Sequence, residues 1–219
     1  MKKMSRTVRV LVAIVVVCAA LFALRFWAIR DFAYAYAAYA SSAARHDSAA
    51  FIPAMAENPL RKELNAALSD VLGTSMAPDA RITRAREGLG LLKDAEAQID
   101  LIEDAGIATQ ERVARMEESM SMVGQLHRSY LRDIIQLSRA RLDIIADIRG
   151  LSYRANHHTE EIFARVIEDK GELSTAHVAE LNRLIPSVEA QFDTRSNLYD
   201  DLNRLGHQMQ SKYDELPRW

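Results

Sequence analysis

The sequence predicts an all-α protein in which a single N-terminal transmembrane helix continues into an antiparallel, up-down helical bundle with coiled-coil-like packing. Three observations lead to this prediction. The apolar segment Val10–Ile29 is long enough to cross a bilayer. Glycine and proline are scarce, with eight and five among 219 residues. Apolar residues recur at three- and four-residue spacing through most of the remaining chain, as in amphipathic helices.

The apolar segment reads VLVAIVVVCAALFALRFWAI, and a helix of that length rises about 30 Å, the thickness of a bilayer's hydrocarbon core. Arg25 stands one turn from its end, where its side chain can reach the headgroups, and Trp27 is typical of the interface. More basic residues precede the segment than follow it. The positive-inside rule therefore places residues 1–9 in the cytoplasm and residues 30–216 outside. The Met-Lys-Lys start is typical of bacteria, so we expect a single-pass inner-membrane protein with a periplasmic domain.

Two other interpretations of the segment are a cleaved signal peptide and a lipoprotein signal. The uninterrupted run Val10–Leu24 falls within the length range of a signal peptide. However, the nearest small-x-small sites, at residues 33–35 and 35–37, lie beyond several charged residues, which disfavours cleavage. Cys18 is the only cysteine, but Val17 before it is not the small residue that a lipoprotein signal requires. A retained signal-anchor helix is the favoured interpretation.

Composition excludes several classes of function for residues 30–216. This part carries all thirty Asp and Glu of the chain and twenty-two of its Lys and Arg, so it is mildly acidic and does not resemble a nucleic-acid binder. Its lack of cysteine excludes disulfides and thiolate metal sites. It also lacks a glycine-framed serine and a glycine-rich phosphate loop. We therefore expect neither an enzyme nor a cofactor.

Helix signals divide the chain into five segments. The predicted helices cover residues 10–50, 60–72, 79–104, 109–169 and 174–213. Asn58 is expected to cap the second helix ahead of a proline, and Gly73 to end it. Gly106 and Gly171 mark the ends of the third and fourth helices. Pro186 removes a backbone donor and should kink or split the last helix.

The two predicted turns at residues 105–108 and 170–173 are short, and short turns make neighbouring helices antiparallel. An even number of long helices then returns the C-terminus toward the bilayer. There Trp219 would either touch the interface or belong to a disordered tail.

Residues 109–150 carry the strongest repeat, with two series of positions recurring every seven residues. The first series is Val113, Met120, His127, Ile134, Arg141 and Ile148, and the second is Met116, Val123, Tyr130, Leu137, Ile144 and Leu151. Ten of these twelve residues are apolar or aromatic, which indicates coiled-coil-like packing. A further apolar row beside them widens the stripe, which favours a bundle of three or four helices.

Four residues are candidates for interactions. His127 and Arg141 interrupt the repeat, and because buried charge is costly without a partner, they are expected to fix helix register or to pair with an acid on a neighbouring helix. The alternative is a polar ligand cavity, and His127 could also confer pH sensitivity. Tyr36 and Tyr39 share one face of the first helix with Phe32. That face is expected to pack on the bundle, the alternative being contact with a ligand or partner.

The sequence supports a metal site less well than it supports the four interaction candidates. On a helix, His157 and Glu161 stand one turn apart and could supply two ligands, but a zinc site requires three or four. The Glu-x-x-His spacing of a diiron bundle is absent from the sequence. We therefore interpret this cluster as a solvated helix face and predict no metal.

Two functional hypotheses follow. The first is a structural or protein-protein interaction module of the cell envelope, whose partners are the lipid bilayer and either another membrane or envelope protein or a second copy of the chain. The second is an extracytoplasmic sensory or ligand-binding four-helix bundle, comparable in outline to those of bacterial chemoreceptors, with its small-molecule ligand unknown. Receptors of that kind return the signal through a second membrane span, and we find none in this sequence, so we expect such a bundle to lack its own cytoplasmic output domain.

Overall fold

The computed structural model describes residues 6–51, 58–73, 75–121, 123, 125–172 and 175–215, and within these ranges it contains five α-helices and no strand. The helices are α1 (Arg6–Phe51), α2 (Pro59–Leu72), α3 (Pro78–Ser121), α4 (Gln125–Glu168) and α5 (Thr175–Asp214). The predicted all-α class and helical bundle are confirmed.

Helix α1 is a single helix of 46 residues, so the apolar segment continues into the bundle without a break, as predicted. Its large apolar side chains from Val10 to Leu24 are 49–66% exposed, because the rest of the described chain does not pack against this part. Packing begins at Ala28, which is only 5% exposed. By length and composition α1 can cross a membrane, and none of its most apolar window is buried in the fold.

The bundle is built from antiparallel neighbours. Helix α3 packs against α4, and α4 packs against α5. The outer part of α1 packs along the C-terminal half of α3, while the 14-residue α2 packs along its N-terminal half. Together α1 and α2 therefore form one corner of the bundle, since neither α2 nor the part of α1 from Ala28 onward that packs in the bundle is as long as the 44-residue α3.

Most of the buried apolar residues belong to three successive layers along the bundle. The layer nearest the exposed apolar segment includes Phe32, Tyr39, Met116, Ile134 and Met209. The middle layer contains Ala50, Ile102, Ile145, Ile148 and Leu202. The distal layer contains Ala67, Val71, Ala85, Leu92, Phe163 and Val166. Each layer combines residues from at least three helices, so each layer holds several helices together.

The predicted signals at both ends of α2 are confirmed. The side chain of Asn58 accepts a hydrogen bond of 3.0 Å from the backbone N–H of Leu60, and a proline occupies the first helical position. At the other end the N–H of Gly73 donates to the carbonyls of Ser69 and Asp70. Gly73 has φ −67°, so it ends the helix in an extended conformation that does not require glycine.

The predicted turn at residues 105–108 is wrong, because α3 continues through Gly106 to Ser121. A Cβ at Gly106 would lie 3.1 Å from Nε2 of His46 in α1. This glycine therefore allows a close approach of two helices. A glycine within a helix costs about 1 kcal/mol of stability relative to alanine. The packing of α3 against α1 that this glycine permits offsets that cost.

The chain instead turns between Ser121 and Gln125, so the predicted helix over residues 109–169 is two helices. The hydroxyls of Ser119 and Ser121 donate to carbonyls one turn back in α3. The Arg128 guanidinium donates to the carbonyls of Ser121 and Val123. The bonds to the carbonyls of Glu118 and Ser121 satisfy backbone acceptors that the helix end leaves unpaired.

The seven-residue repeat crosses this turn, because the helices on either side of it face the same interior. Val113 and Met116 in α3 and Ile134 and Ile148 in α4 are all buried. Tyr130, also in the repeat, is 42% exposed and lies outside the core.

The predicted turn after α4 is confirmed. Lys170 and Gly171 have positive φ values of 54° and 76°, and the N–H of Gly171 donates to the Val166 carbonyl at 2.9 Å. A Cβ at Gly171 would overlap the Pro78 backbone, so glycine is required there. The last helix is not split, because α5 continues through Pro186.

A buried arginine joins two turns at the distal end. Arg81 donates to the carbonyl of Gly171 at 2.5 Å and to that of Gly73 at 2.7 Å. It thereby fixes the start of α3 to the ends of α2 and α4.

Candidate functional site

A group of polar side chains is buried in the half of the bundle nearer the apolar segment. We call this group the polar layer, and it consists of the buried residues Ser42, His46, Thr109, Ser138 and Arg141 together with the partly buried Asp47. It draws on α1, α3 and α4, and its members are held by short contacts. For example, the hydroxyls of Ser42 and Thr109 lie 2.9 Å apart, and Ser138 donates to the Ile134 carbonyl at 2.8 Å.

Arg141 lies at the centre of the polar layer, with its side chain 8% exposed. Its Nη2 pairs with a carboxylate oxygen of Asp47 in α1. Its Nη1 donates to the Leu202 carbonyl in α5 at 3.0 Å. Gly206 leaves the space that this nitrogen occupies, because a Cβ there would overlap it. Arg141 thus connects three helices, and its partner is an acid on a neighbouring helix, as the sequence led us to expect.

The ion pair is costly to bury, and it therefore favours one alignment of the helices that carry it. Burial raises the pKa of the Asp47 carboxyl, while the adjacent Arg141 guanidinium opposes that rise. Buried pairs of this kind contribute little net stability, but removing one partner leaves an uncompensated charge. The pair consequently penalises any alignment of α1, α4 and α5 that separates its members.

The two tyrosine candidates are also internal. Tyr36 and Tyr39 are buried together with Phe32, so the predicted packing of this face on the bundle is confirmed. The ring of Tyr36 stacks on that of Tyr213 with centroids 3.9 Å apart. Burial raises the pKa of Tyr36 to about 12 and also raises that of Tyr39, where Ser138 and Arg141 oppose the shift. Both hydroxyls therefore stay protonated.

The fourth candidate, His127, belongs to the first turn of α4, and its side chain lies outside the described residues. The expected pairing or pH sensitivity of His127 therefore stays a prediction.

Our sequence reasoning missed His46, which is 4% exposed. Burial lowers its pKa to about 4, with Arg141 and Arg149 adding to the effect and a hydrogen bond to the Ile102 backbone opposing it. The imidazole is therefore neutral at neutral pH. Its spacing in the sequence was a signal that it lies on the buried face of α1, because His46 follows Tyr39 by seven residues and Tyr39 follows Phe32 by seven.

A groove of about 650 Å³ runs between α3 and α4 and reaches His46. Small residues widen it, and its apolar lining includes Ile107 and Leu142. Interhelical ion pairs border it, one between Arg139 and Glu117 and the other between Arg149 and Glu103. The volume is that of a small-molecule site, and an open groove of this width can also accept side chains from a partner helix.

The His157 cluster lies on the surface of α4. His157 is 68% exposed, with Nε2 located 3.7 Å from a carboxylate oxygen of Glu161. Among the residues that the structure describes, no three His, Cys, Asp or Glu side chains are grouped as metal ligands would be.

Comparison with known proteins identifies no relative. No protein-family model matches this chain, and neither the curated proteins nor the solved structures include a match.

Proposed function

We propose that this protein is a membrane-anchored helical bundle that acts as a structural or protein-protein interaction module of the cell envelope. The observation that supports this most is α1. The first half of this single helix exposes apolar side chains, and its second half supplies Phe32, Tyr36 and Tyr39 to the bundle core. A bundle joined to its anchor in this way has a fixed position and orientation relative to the membrane.

The membrane is the partner that suits the first half of α1. A soluble protein rarely exposes an apolar surface of this extent, whereas lipid covers it without cost. The excess of basic residues before Val10 supports a cytoplasmic N-terminus and an extracytoplasmic bundle. In a bacterium this would be the inner membrane and the periplasm.

The bundle itself favours an interaction role over catalysis. Its central charged residues, Arg141 and Asp47, are bound to each other, so they hold helices together. On the surface of α3, Leu101 and Ile107 are exposed apolar residues, and Ile107 borders the groove. These features suit contact with a helix of another envelope protein or of a second copy.

Membrane retention and site-specific crosslinking test this proposal. The full-length chain should remain in alkali-washed membranes at its unprocessed mass. A photoreactive residue at Ile107 should give one discrete crosslinked species in cells, whereas the same residue at exposed Asn203 in α5 should not. Release of the chain by alkali, or identical crosslinking at both positions, would contradict the proposal.

A second candidate function is ligand sensing, which the groove beside His46 supports through its volume. A small molecule that occupies the groove should raise the unfolding temperature of the full-length protein in detergent. The substitution Ala146→Phe should abolish that shift, because it fills the groove from the exposed face of α4. Ala97→Phe, at an exposed position outside the groove, is the matched control.

A further inference from the structure

We propose that the end of the bundle where α3 turns into α4 rests in the phospholipid headgroup layer. This surface comprises Ser121, Arg128 and Tyr130 together with Trp27 and Arg30 of α1. The inference rests on the proposed membrane anchor and adds a second lipid contact, made by the bundle itself.

Two contacts give the alignment of α1 with α3. Arg115 Nη2 lies 3.6 Å from a carboxylate oxygen of Asp31, and the hydroxyls of Thr109 and Ser42 lie 2.9 Å apart. Because the two helices are antiparallel, moving one residue toward the C-terminus of α3 corresponds to moving one residue toward the N-terminus of α1.

This alignment places the end of α3 beside the apolar segment. Counting from the two contacts, Ser121 lies level with residues 25–30 of α1. Core packing agrees, since Val123 belongs to the same buried layer as Ala28. The bundle therefore begins at the last turn of the proposed membrane span, with no linker that would hold it away from the lipid.

The length of the apolar run brings this end of the bundle to the membrane. Val10–Leu24 is the part of α1 that carries no charge and projects from the bundle, and its fifteen residues rise about 22 Å. The hydrocarbon core of a bilayer is about 30 Å thick. To reduce this mismatch, the turn from Arg25 to Ile29 must enter the membrane, or the bilayer must thin around it. Because Ala28 and Ile29 pack on the bundle, the bundle must move toward the lipid with them.

The exposed side chains at this end suit a headgroup layer. The Arg30 guanidinium lies over the rings of Trp27 and Tyr34, at 5.1 and 5.4 Å from their centroids. The ammonium of Lys212 in α5 lies 5.6 Å from the ring centroid of the half-exposed Tyr130 in α4. Aromatic rings favour the interface, and the cations beside them can bind lipid phosphates. Two sides of the bundle thus offer the same chemistry to phospholipid headgroups.

Measurement of label depth in a bilayer tests the inference. The full-length chain with Cys18→Ala is placed in nanodiscs of phosphatidylethanolamine and phosphatidylglycerol, with a nitroxide on Ser121→Cys. Ser48→Cys is the matched control, because it is also an exposed serine and lies about 31 Å further along α1 than Trp27. We expect the label at 121 to have headgroup depth and to be shielded several-fold from a water-soluble relaxation agent relative to the label at 48. Equal accessibility at the two positions would overturn the inference.

A label on Leu21→Cys separates this inference from the anchor on which it depends. If the label at 21 lies in hydrocarbon while that at 121 is in water, the headgroup contact is wrong and the anchor stands. If both are in water, the anchor proposal fails as well. Four leucines inserted after Leu21 should lengthen the apolar run by about 6 Å and make the label at 121 more accessible to water. Unchanged accessibility would show that the short span does not bring the bundle to the lipid.

Discussion

Gly206 of α5 lies against the guanidinium of Arg141 in α4, so closely that a Cβ on Gly206 would overlap Nη1. That nitrogen donates to the carbonyl of Leu202, one turn earlier in α5. The glycine within this 40-residue helix therefore serves helix contact, because only hydrogen at Cα leaves room for the buried cation.

Replacing Gly206 by alanine should destabilise the protein, although alanine is favoured over glycine within a helix by about 1 kcal/mol. The added methyl group must displace the guanidinium from the Leu202 carbonyl, at a net cost of about 1–3 kcal/mol. The free energy of unfolding of the full-length protein in detergent measures the effect. Gly90→Ala is the control, since a Cβ there meets no atom within 4 Å, and it should stabilise slightly. Equal effects of the two substitutions would contradict the proposed contact.

Separating the buried ion pair should cost more than removing it altogether. Asp47→Ala leaves the Arg141 guanidinium buried without its carboxylate, and we expect a loss of about 3–5 kcal/mol in unfolding free energy. The double variant Asp47→Leu/Arg141→Met replaces both charges by apolar groups and should recover most of that loss. A double variant as unstable as the single variant would mean that the pair supplies net stability, contrary to its assigned role in alignment.

The neutral His46 should make the fold sensitive to acid. Its ordinary pKa of 6.5 is lowered to about 4 in the fold, mainly by burial. Between these values the unfolded chain binds a proton that the folded chain does not, so stability falls as pH decreases from about 6.5 to about 4. The loss through this residue is at most about 3 kcal/mol. Unfolding free energies measured across this pH range give the slope.

The variant His46→Gln isolates this contribution, because it keeps a polar side chain without a titrating ring. The carboxyl of Asp47 titrates in the opposite sense, since burial raises its pKa and folding then favours its protonated form. Asp47 contributes to the unfolding free energy of both proteins, so subtracting the variant's pH dependence from that of the wild type removes its contribution. An identical pH slope for the two proteins would show that His46 is not held neutral by the fold.

The end of α5 should depend on one aromatic contact with α1. Tyr213 stacks on buried Tyr36, and Tyr213→Ala should cost about 1–2 kcal/mol and speed amide hydrogen exchange in the last turns of α5. Tyr213→Phe keeps the ring and should change little. Tyr34→Ala is the control on the exposed face of α1. If Tyr34→Ala speeds amide exchange in α5 as much as Tyr213→Ala does, the stacking of Tyr213 on Tyr36 is not what holds this helix end.

Sequence reasoning succeeded where neighbouring residues decide the structure. The apolar run of α1, the Asn58 cap of α2 and the turn at Gly171 are local features, and each was predicted at its observed place. It failed at Gly106, where a local rule suggested a helix end but the glycine serves contact with His46. Ser119 and Ser121, which bond back to their own helix, together with Gly124 in the sequence, were the signal for the true turn.

The sequence by itself determined that the chain is all helical and carries one helix able to cross a membrane, because composition and periodicity specify which residues seek an apolar environment. The tertiary structure alone decided that Arg141 meets Asp47, 94 positions away in the chain, and that the end of α3 lies beside the last turn of the apolar segment. Both depend on how distant helices align, and that alignment is set by side chains that contact each other only after the chain has folded.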